Sequence, residues 1–312
     1  MNKILYISAV VLLLTSSCDK VENPYPNLPS SELDYNLYPN GDSAHYAQNA
    51  WPIFIANTNT LRSVMIEDYT GHYCTFCPAA ADEAENIASS NPGRVFVSSV
   101  HAGPFGTGSL QQLYPSSGYT TVLYNTASEE TGNYFGNDWP GSLFTGNPYG
   151  SVSRTDGGNG TPTQGPATWN ASTTALISAN DLKANLQSQI NYYPSTRGLF
   201  VHAETEIMDL SLTNELKMVV QLHEDTLVAF QKLSDNSTDS NYVHHDILRS
   251  CIDGRTFGQT LDAAHLDVNG KYYFNYSYEL PAQYDASNMH LLIYIRDNVT
   301  EEIYHVIKKD IE

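Results

Sequence analysis

Basic residues and cysteines are what this 312-residue sequence has least of. Lys and Arg number 15 against 34 Asp and Glu, for a formal net charge of −19. A surface of that sign repels phosphate backbones at long range, which excludes nucleic acid as a partner. The four cysteines are Cys18, Cys74, Cys77 and Cys251. They make a single Cys-x-x-Cys pair, so a four-cysteine zinc site is excluded, and Cys251, alone in its segment, is expected as a buried free thiol. Long apolar runs are scarce too: Ile4 to Leu14 is too short to span a bilayer. Phenylalanine, with 10 copies, is outnumbered by 22 tyrosines, an amphipathic choice suited to tyrosine-rich sheets. The length predicts about two domains.

Residues 1–17 read as a signal peptide. Lys3 gives a basic start, and the apolar run ends in Thr15, Ser16 and Ser17 before Cys18. That ending is similar to a bacterial lipoprotein processing site, which makes Cys18 the expected lipidated residue, although the leucine stands four residues before the cysteine rather than three. Stable anchoring takes more than one acyl chain. From 18 to 59 the composition, with Pro24, Pro26, Pro29 and Pro39, predicts an extended tether, with an edge strand near Trp51 to Ile55.

The stretch from Val64 to Asn91 organises the rest of the chain. A β-type run ends at Thr70-Gly71, Cys74-Thr75-Phe76-Cys77 comes next, and an alanine-rich acidic segment closes at Asn91-Pro92-Gly93. Strand, Cys-x-x-Cys, helix is the entry to a thioredoxin-like fold. Arg94 to Val100 predicts the parallel strand that completes a βαβ unit, and His101 leaves it at the end where such sheets bind ligands. The long aromatic segment from Pro104 to Thr145 is expected either to cover one face of the sheet or to form a lid over the cysteines. Pro148 then stands where thioredoxin-like proteins carry a cis-proline, and Asp156-Gly157 signals a hairpin. A capping box at Ser178 to Asp181, with Leu182, Leu186 and Ile190 on one stripe, predicts a closing helix.

The last third changes character. Segments starting at Leu199, Leu216, Leu227, Tyr242, Lys271, Met289 and Glu302 read as short strands, several alternating with period two. The predicted architecture is therefore an α/β thioredoxin-like domain over 60–194 followed by an all-β immunoglobulin-like sandwich over 195–312, without the Cys-Trp-Cys signature of antibody domains.

Thiol–disulfide exchange is the chemistry this motif suggests, with Cys74 as the exposed attacking thiolate, Cys77 as the resolving thiol and Pro148 shaping the groove for a protein thiol or disulfide partner. Pro78 suits the first helical position and would make Cys77 the cap. Asp82, Glu83 and Glu85 disfavour a nearby thiolate, whereas a protonated His72 would favour it. The alternative is a permanent structural disulfide in a surface or periplasmic binding protein. A copper site using the two sulfurs with His72 or His101 is a third arrangement. His244-His245 reads as strand or loop structure. No cofactor or metal is expected.

Taken together, the Glu67-Asp68-Tyr69-Thr70-Gly71 entry, Cys74 to Ala80, the segment around Pro148 and Arg154, and Tyr242 to Arg249 with Gly254 and Phe257-Gly258 resemble the outer membrane protein 28-like lipoproteins of Gram-negative bacteria. The likeness runs over most of the chain beyond Cys18, and the cysteine-proline-alanine block is its most specific part. The resemblance implies a lipid-anchored outer-membrane protein, facing the periplasm or the surface, with a thioredoxin-like domain and a β-sandwich.

Overall fold

The computed structural model describes residues 33–103 and 108–312, which are mostly β-sheet with few helices; Cys18 and the expected signal segment lie outside the described residues. After the short helix α1 (Ser43–Asn49), strand β1 (Val64–Thr70) is buried along its whole length. Helix α2 (Cys77–Ser90) returns the chain to β2 (Val95–His101), which pairs in parallel with β1. After the short helices α3 (Gly108–Gln111) and α4 (Thr126–Asn133), strand β3 (Tyr149–Val152) pairs antiparallel with the other edge of β1. Close approach fixes Gly150, because a Cβ there would lie 2.2 Å from the Glu67 carbonyl and 2.5 Å from the Trp169 ring.

The remaining strands are β4 (Ala184–Tyr193), β5 (Gly198–Ile207), β6 (Leu216–Glu224), β7 (Leu227–Lys232), β8 (Thr238–His244), β9 (Ile247–Cys251), β10 (Gln259–Thr260), β11 (Lys271–Glu279), β12 (Met289–Asp297) and β13 (Ile303–Asp310). Five of them, β6, β9, β10, β12 and β13, join the first sheet rather than form one apart from it. One eight-stranded sheet runs β13-β12-β6-β9-β2-β1-β3, with β10 on β6. The join is the parallel bridge between Ile247 of β9 and Ser99 of β2. A three-stranded sheet, β11-β5-β4, packs on one face of this large sheet through Leu186, Val201 and Phe274 against Met218, Leu222 and Ile293. Strands β7 and β8 form a separate hairpin.

Alternation along β1 distributes its side chains. Val64 and Ile66 face α2 and helix α5 (Trp169–Ala179), through Ala80, Ala84, Ile87 and Trp169. Met65 and Tyr69 face the aromatic insertion, where Phe135 and Phe144 are buried. On that side Glu67 meets Arg154, whose Nε and Nη2 donate to its two carboxylate oxygens at 2.9 and 2.6 Å. Arg154 also reaches Glu301, which pairs in turn with Arg296 of β12. Burial opposes ionisation of Glu67, but Arg154 and the hydroxyls of Ser151 and Tyr69 hold its carboxyl below the usual range. The charge network thus joins β1 to the C-terminal strands.

The structure corrects three expectations. The closing helix is α5, which ends at left-handed Asn180, and 184–193 is strand β4. Leu186 and Ile190 are four apart, a spacing that shares a face in a strand as well as in a helix. Asn185, Gln187, Gln189 and Asn191 then alternate onto the other side. Second, the tether expected to 59 is folded from Leu33: Tyr38 and Tyr46 are buried against Phe200, and 51–59 has neither helix nor strand pairing. Amide groups of Gln189 and Gln187 donate to the Ile53 and Ile55 carbonyls in place of a backbone ladder. Third, Asp156-Gly157 opens a loop in which the Asp156 carboxylate accepts from the N–H groups of Gly158, Asn159 and Gly160, and the return is a single bridge between Gly150 and Gln164.

Candidate functional site

Cys74 and Cys77 form a disulfide with Cα atoms 5.4 Å apart. Cys74 lies in the loop after β1, its N–H donating to the Gly71 carbonyl, and Cys77 is the first residue of α2. The cap is therefore Phe76 rather than Cys77, and Pro78 follows where a missing N–H costs nothing. The Asn147-Pro148 peptide is cis and leads into β3 at the same end of the sheet. Asn147 Nδ2 donates to the carbonyls of Thr70 and Ala102, both at 2.7 Å, which ties this turn to the ends of β1 and β2.

Exposure differs from the sequence expectation. Cys74 is 3% exposed and Cys77 1%, while Phe76 between them is 66% exposed. The cover comes from the far end of the sequence. Gln231 of β7 donates its amide to the carbonyls of Cys74, at 3.0 Å, and Gly71, at 3.4 Å. The Lys232 N–H donates to the His72 carbonyl. From the aromatic insertion, Tyr119 packs edge-on against His72, Tyr73 and Phe230. The insertion thus does both things expected of it: Phe135 and Phe144 cover the sheet, and Tyr119 joins the hairpin over the cysteine loop.

Beneath α2, Cys77 borders a small cavity of about 20 Å³, room for one water molecule. Asp68, on the helix-facing side of β1, lines it with Ser99, His101 and His244. Asp68 is fully buried, and neither carboxyl oxygen has a hydrogen-bond partner among the described residues. Burial, and then the charge of Glu85, push its pKa up to about 8, so the group is largely protonated at neutral pH. Burial drives His101 well below its ordinary value, and brings His244 down to about 4; both rings are neutral. Among the described residues no cluster of His, Cys, Asp and Glu could hold a metal, so His72 and His101 do not assemble the copper arrangement. His72 instead bonds the Gln112 carbonyl at 3.1 Å. Cys251 is free and buried.

The structure brings Cys74, Cys77 and Pro148 to one end of the sheet. The sequence assigns no site role to Asp68, Gln231 or His244, the last of which it places in strand or loop structure. A carboxylate inside a wholly buried strand was the available signal for Asp68. Gln231 and His244 come from a hairpin whose position depends on the β9–β2 join, and nothing local announces it.

Among solved structures, HBP35 of Porphyromonas gingivalis is similar at 12% identity with a TM-score of 0.61, over 82% of this chain and 77% of that one; the likeness is one of fold. A protein from Agrobacterium tumefaciens matches at 13% identity and TM-score 0.46, over 81% of this chain and 95% of that one. A domain of the outer membrane lipoprotein Omp28 from Porphyromonas gingivalis matches at 21% identity and TM-score 0.29, over 42% and 88%. No curated protein matches the chain. The family model described as outer membrane protein Omp28 matches residues 142–312, more than half of the sequence and entirely C-terminal to the cysteine pair. The chain belongs to the Omp28 family of outer membrane proteins, and that membership places it at the outer membrane.

Proposed function

We propose that the protein is a lipid-anchored thiol–disulfide exchange protein of the outer membrane, held through Cys18, with a thioredoxin-like unit whose sheet continues into an immunoglobulin-like sandwich. The βαβ unit with its Cys-x-x-Cys at a helix start, and the cis Pro148 ahead of an antiparallel β3, support the thioredoxin-like part of this reading. One observation carries the chemistry: a buried, unpartnered, protonated carboxyl shares a cavity with Cys77. Burying such a group unpaired costs stability and serves no packing purpose. It supplies what disulfide opening needs, since a partner thiolate attacking Cys74 expels Cys77 as a thiolate that must take a proton.

A second reading, a structural staple in a binding lipoprotein, draws on the 3% exposure of Cys74. In the exchange reading, the β7–β8 hairpin moves aside before a partner reaches that sulfur. Incubating the oxidised full chain with a reduced dithiol peptide separates the two. Exchange predicts stoichiometric oxidation of the peptide, abolished in Cys74→Ser, and a trapped Cys74–peptide adduct when Cys77→Ser is mixed with the peptide disulfide. Neither product forms if the bond is a staple.

A further inference from the structure

The cavity beside Cys77 is a shared product of both ends of the chain. Asp68 comes from β1 and His101 from the end of β2, whereas His244 is delivered by β8 of the C-terminal hairpin. His244 is 5% exposed, and its ring stands 5.5 Å from that of His101 and 4.8 Å from that of Tyr242. Its ring is bonded to the Phe230 carbonyl, and Nε2 has no partner among the described residues. The bond to a carbonyl belongs to Nδ1 and requires the proton there. Nε2 is then a bare acceptor, buried at a cavity that the unpartnered Asp68 carboxyl also lines.

Resting on the exchange reading, we propose that this cavity takes one water molecule that accepts from the Asp68 carboxyl and donates to His244 Nε2. His244 is thereby a positioning residue for the proton used at Cys77. With the disulfide closed, Asp68 O–H points to the water. A partner thiolate then forms a bond to Cys74 Sγ, the S–S bond breaks, and its electron pair stays on Cys77 Sγ. The Asp68 proton passes to that sulfur, and the water reorients to donate to the new carboxylate. In the reverse direction Cys77 returns the proton to Asp68 as it attacks Cys74, and the partner thiolate leaves.

Burial, with the charges around it, keeps His244 in the acceptor role. Burial is the main cause, and His72 in the cysteine loop, Arg249 on β9 and His245 beside it further disfavour a positive charge on the ring. Asp246 at the next turn sits among Lys308, Asp225 and His245. Glu85 on α2 is the acid whose charge acts on Asp68.

The test is the pH dependence, between pH 5 and 9, of the rate at which dithiothreitol reduces the disulfide in the full chain, corrected for the thiolate content of the reagent and read by alkylation mass shift. His244→Asn keeps an N–H for the Phe230 carbonyl but has nothing at the Nε2 position. It should slow reduction about tenfold at neutral pH and move the inflection by about one unit, with little change in thermal midpoint. His244→Gln, which can place an oxygen near the Nε2 position, should recover part of the rate. Asp68→Asn should remove the inflection. Profiles of His244→Asn that superimpose on wild type while Asp68→Asn loses the inflection would overturn the role of His244 and leave the exchange reading standing. An unchanged profile in Asp68→Asn as well would overturn both.

Discussion

Replacing Arg154 by Met tests the charge network that fuses the two parts of the large sheet. Arg154 is fully buried and serves two acids, Glu67 through a two-point contact and Glu301 at 3.3 Å. Met preserves much of the aliphatic stem and removes the charged head, including the guanidinium that stands 4.8 Å over the centre of the Phe135 ring. The loss is thus chiefly electrostatic. Removing one partner of a buried pair costs about 3–5 kcal/mol, because the other charge is left without compensation. Glu301 keeps Arg296, so the cost falls mainly on Glu67. Wild-type Glu67 has a depressed pKa and contributes stability that is present above its unfolded value and lost as pH falls through the folded one. In Arg154→Met the same carboxyl is pushed upward, and the native state must take up a proton. The penalty should therefore grow with pH from about 5 to 8. Urea denaturation of wild type, Arg154→Met and Arg154→Met/Glu67→Gln at those pH values measures it, and the double variant should recover at least half of the loss. A penalty below about 1 kcal/mol, or one independent of pH, would refute the reasoning.

Acid should destabilise the fold through its buried imidazoles: His223, His244 and His305 have pKa values brought down to about 4, with burial as the main cause. Unfolded histidine binds its proton near 6.5, so stability should fall as pH drops from about 6.5 towards 4, by at most about 3 kcal/mol for His223. Asp68 and Asp246, raised to about 8 and 6, contribute in the opposite sense over this range, and a denaturation midpoint that stays flat or rises from pH 6.5 to 4 would contradict the assignment. Gly118→Ala should loosen the cover over the disulfide, because Gly118 has φ +90° and a Cβ there would lie 1.9 Å from Phe230 of the hairpin. Reduction of the disulfide should be several-fold faster than in wild type, and an equal or slower rate would show that the hairpin does not control access.

The βαβ unit, the cysteine pair at a helix start and most strands of the last third were legible because each is set by local pattern: β-branched runs, turn residues and period-two alternation. The run from Tyr242 to Leu248 instead divides between β8 and β9 at the His245-Asp246 turn, where Asp246 has φ +50°. Segment 184–193 misleads because its apolar spacing fits either period, and its outward Asn and Gln residues find carbonyl partners only in the folded chain. The join between Ser99 and Ile247 is a long-range pairing with no local signature. Everything that depends on it was hidden as well, including the cover of Gln231 over Cys74 and the presence of His244 beside Asp68. Arg154 was visible as a motif residue, but its partners Glu67 and Glu301 are brought together only by the sheet.

The most direct test of the exchange chemistry is the reduction potential of the Cys74–Cys77 pair in the folded protein, by equilibration in graded thiol buffers with alkylation readout. The account predicts a potential within the range of exchange proteins, roughly −120 to −270 mV, with Cys74 alkylated before Cys77 in the reduced form. A potential below about −300 mV, with neither sulfur alkylated faster than the other, would contradict it and mark the bond as a structural staple.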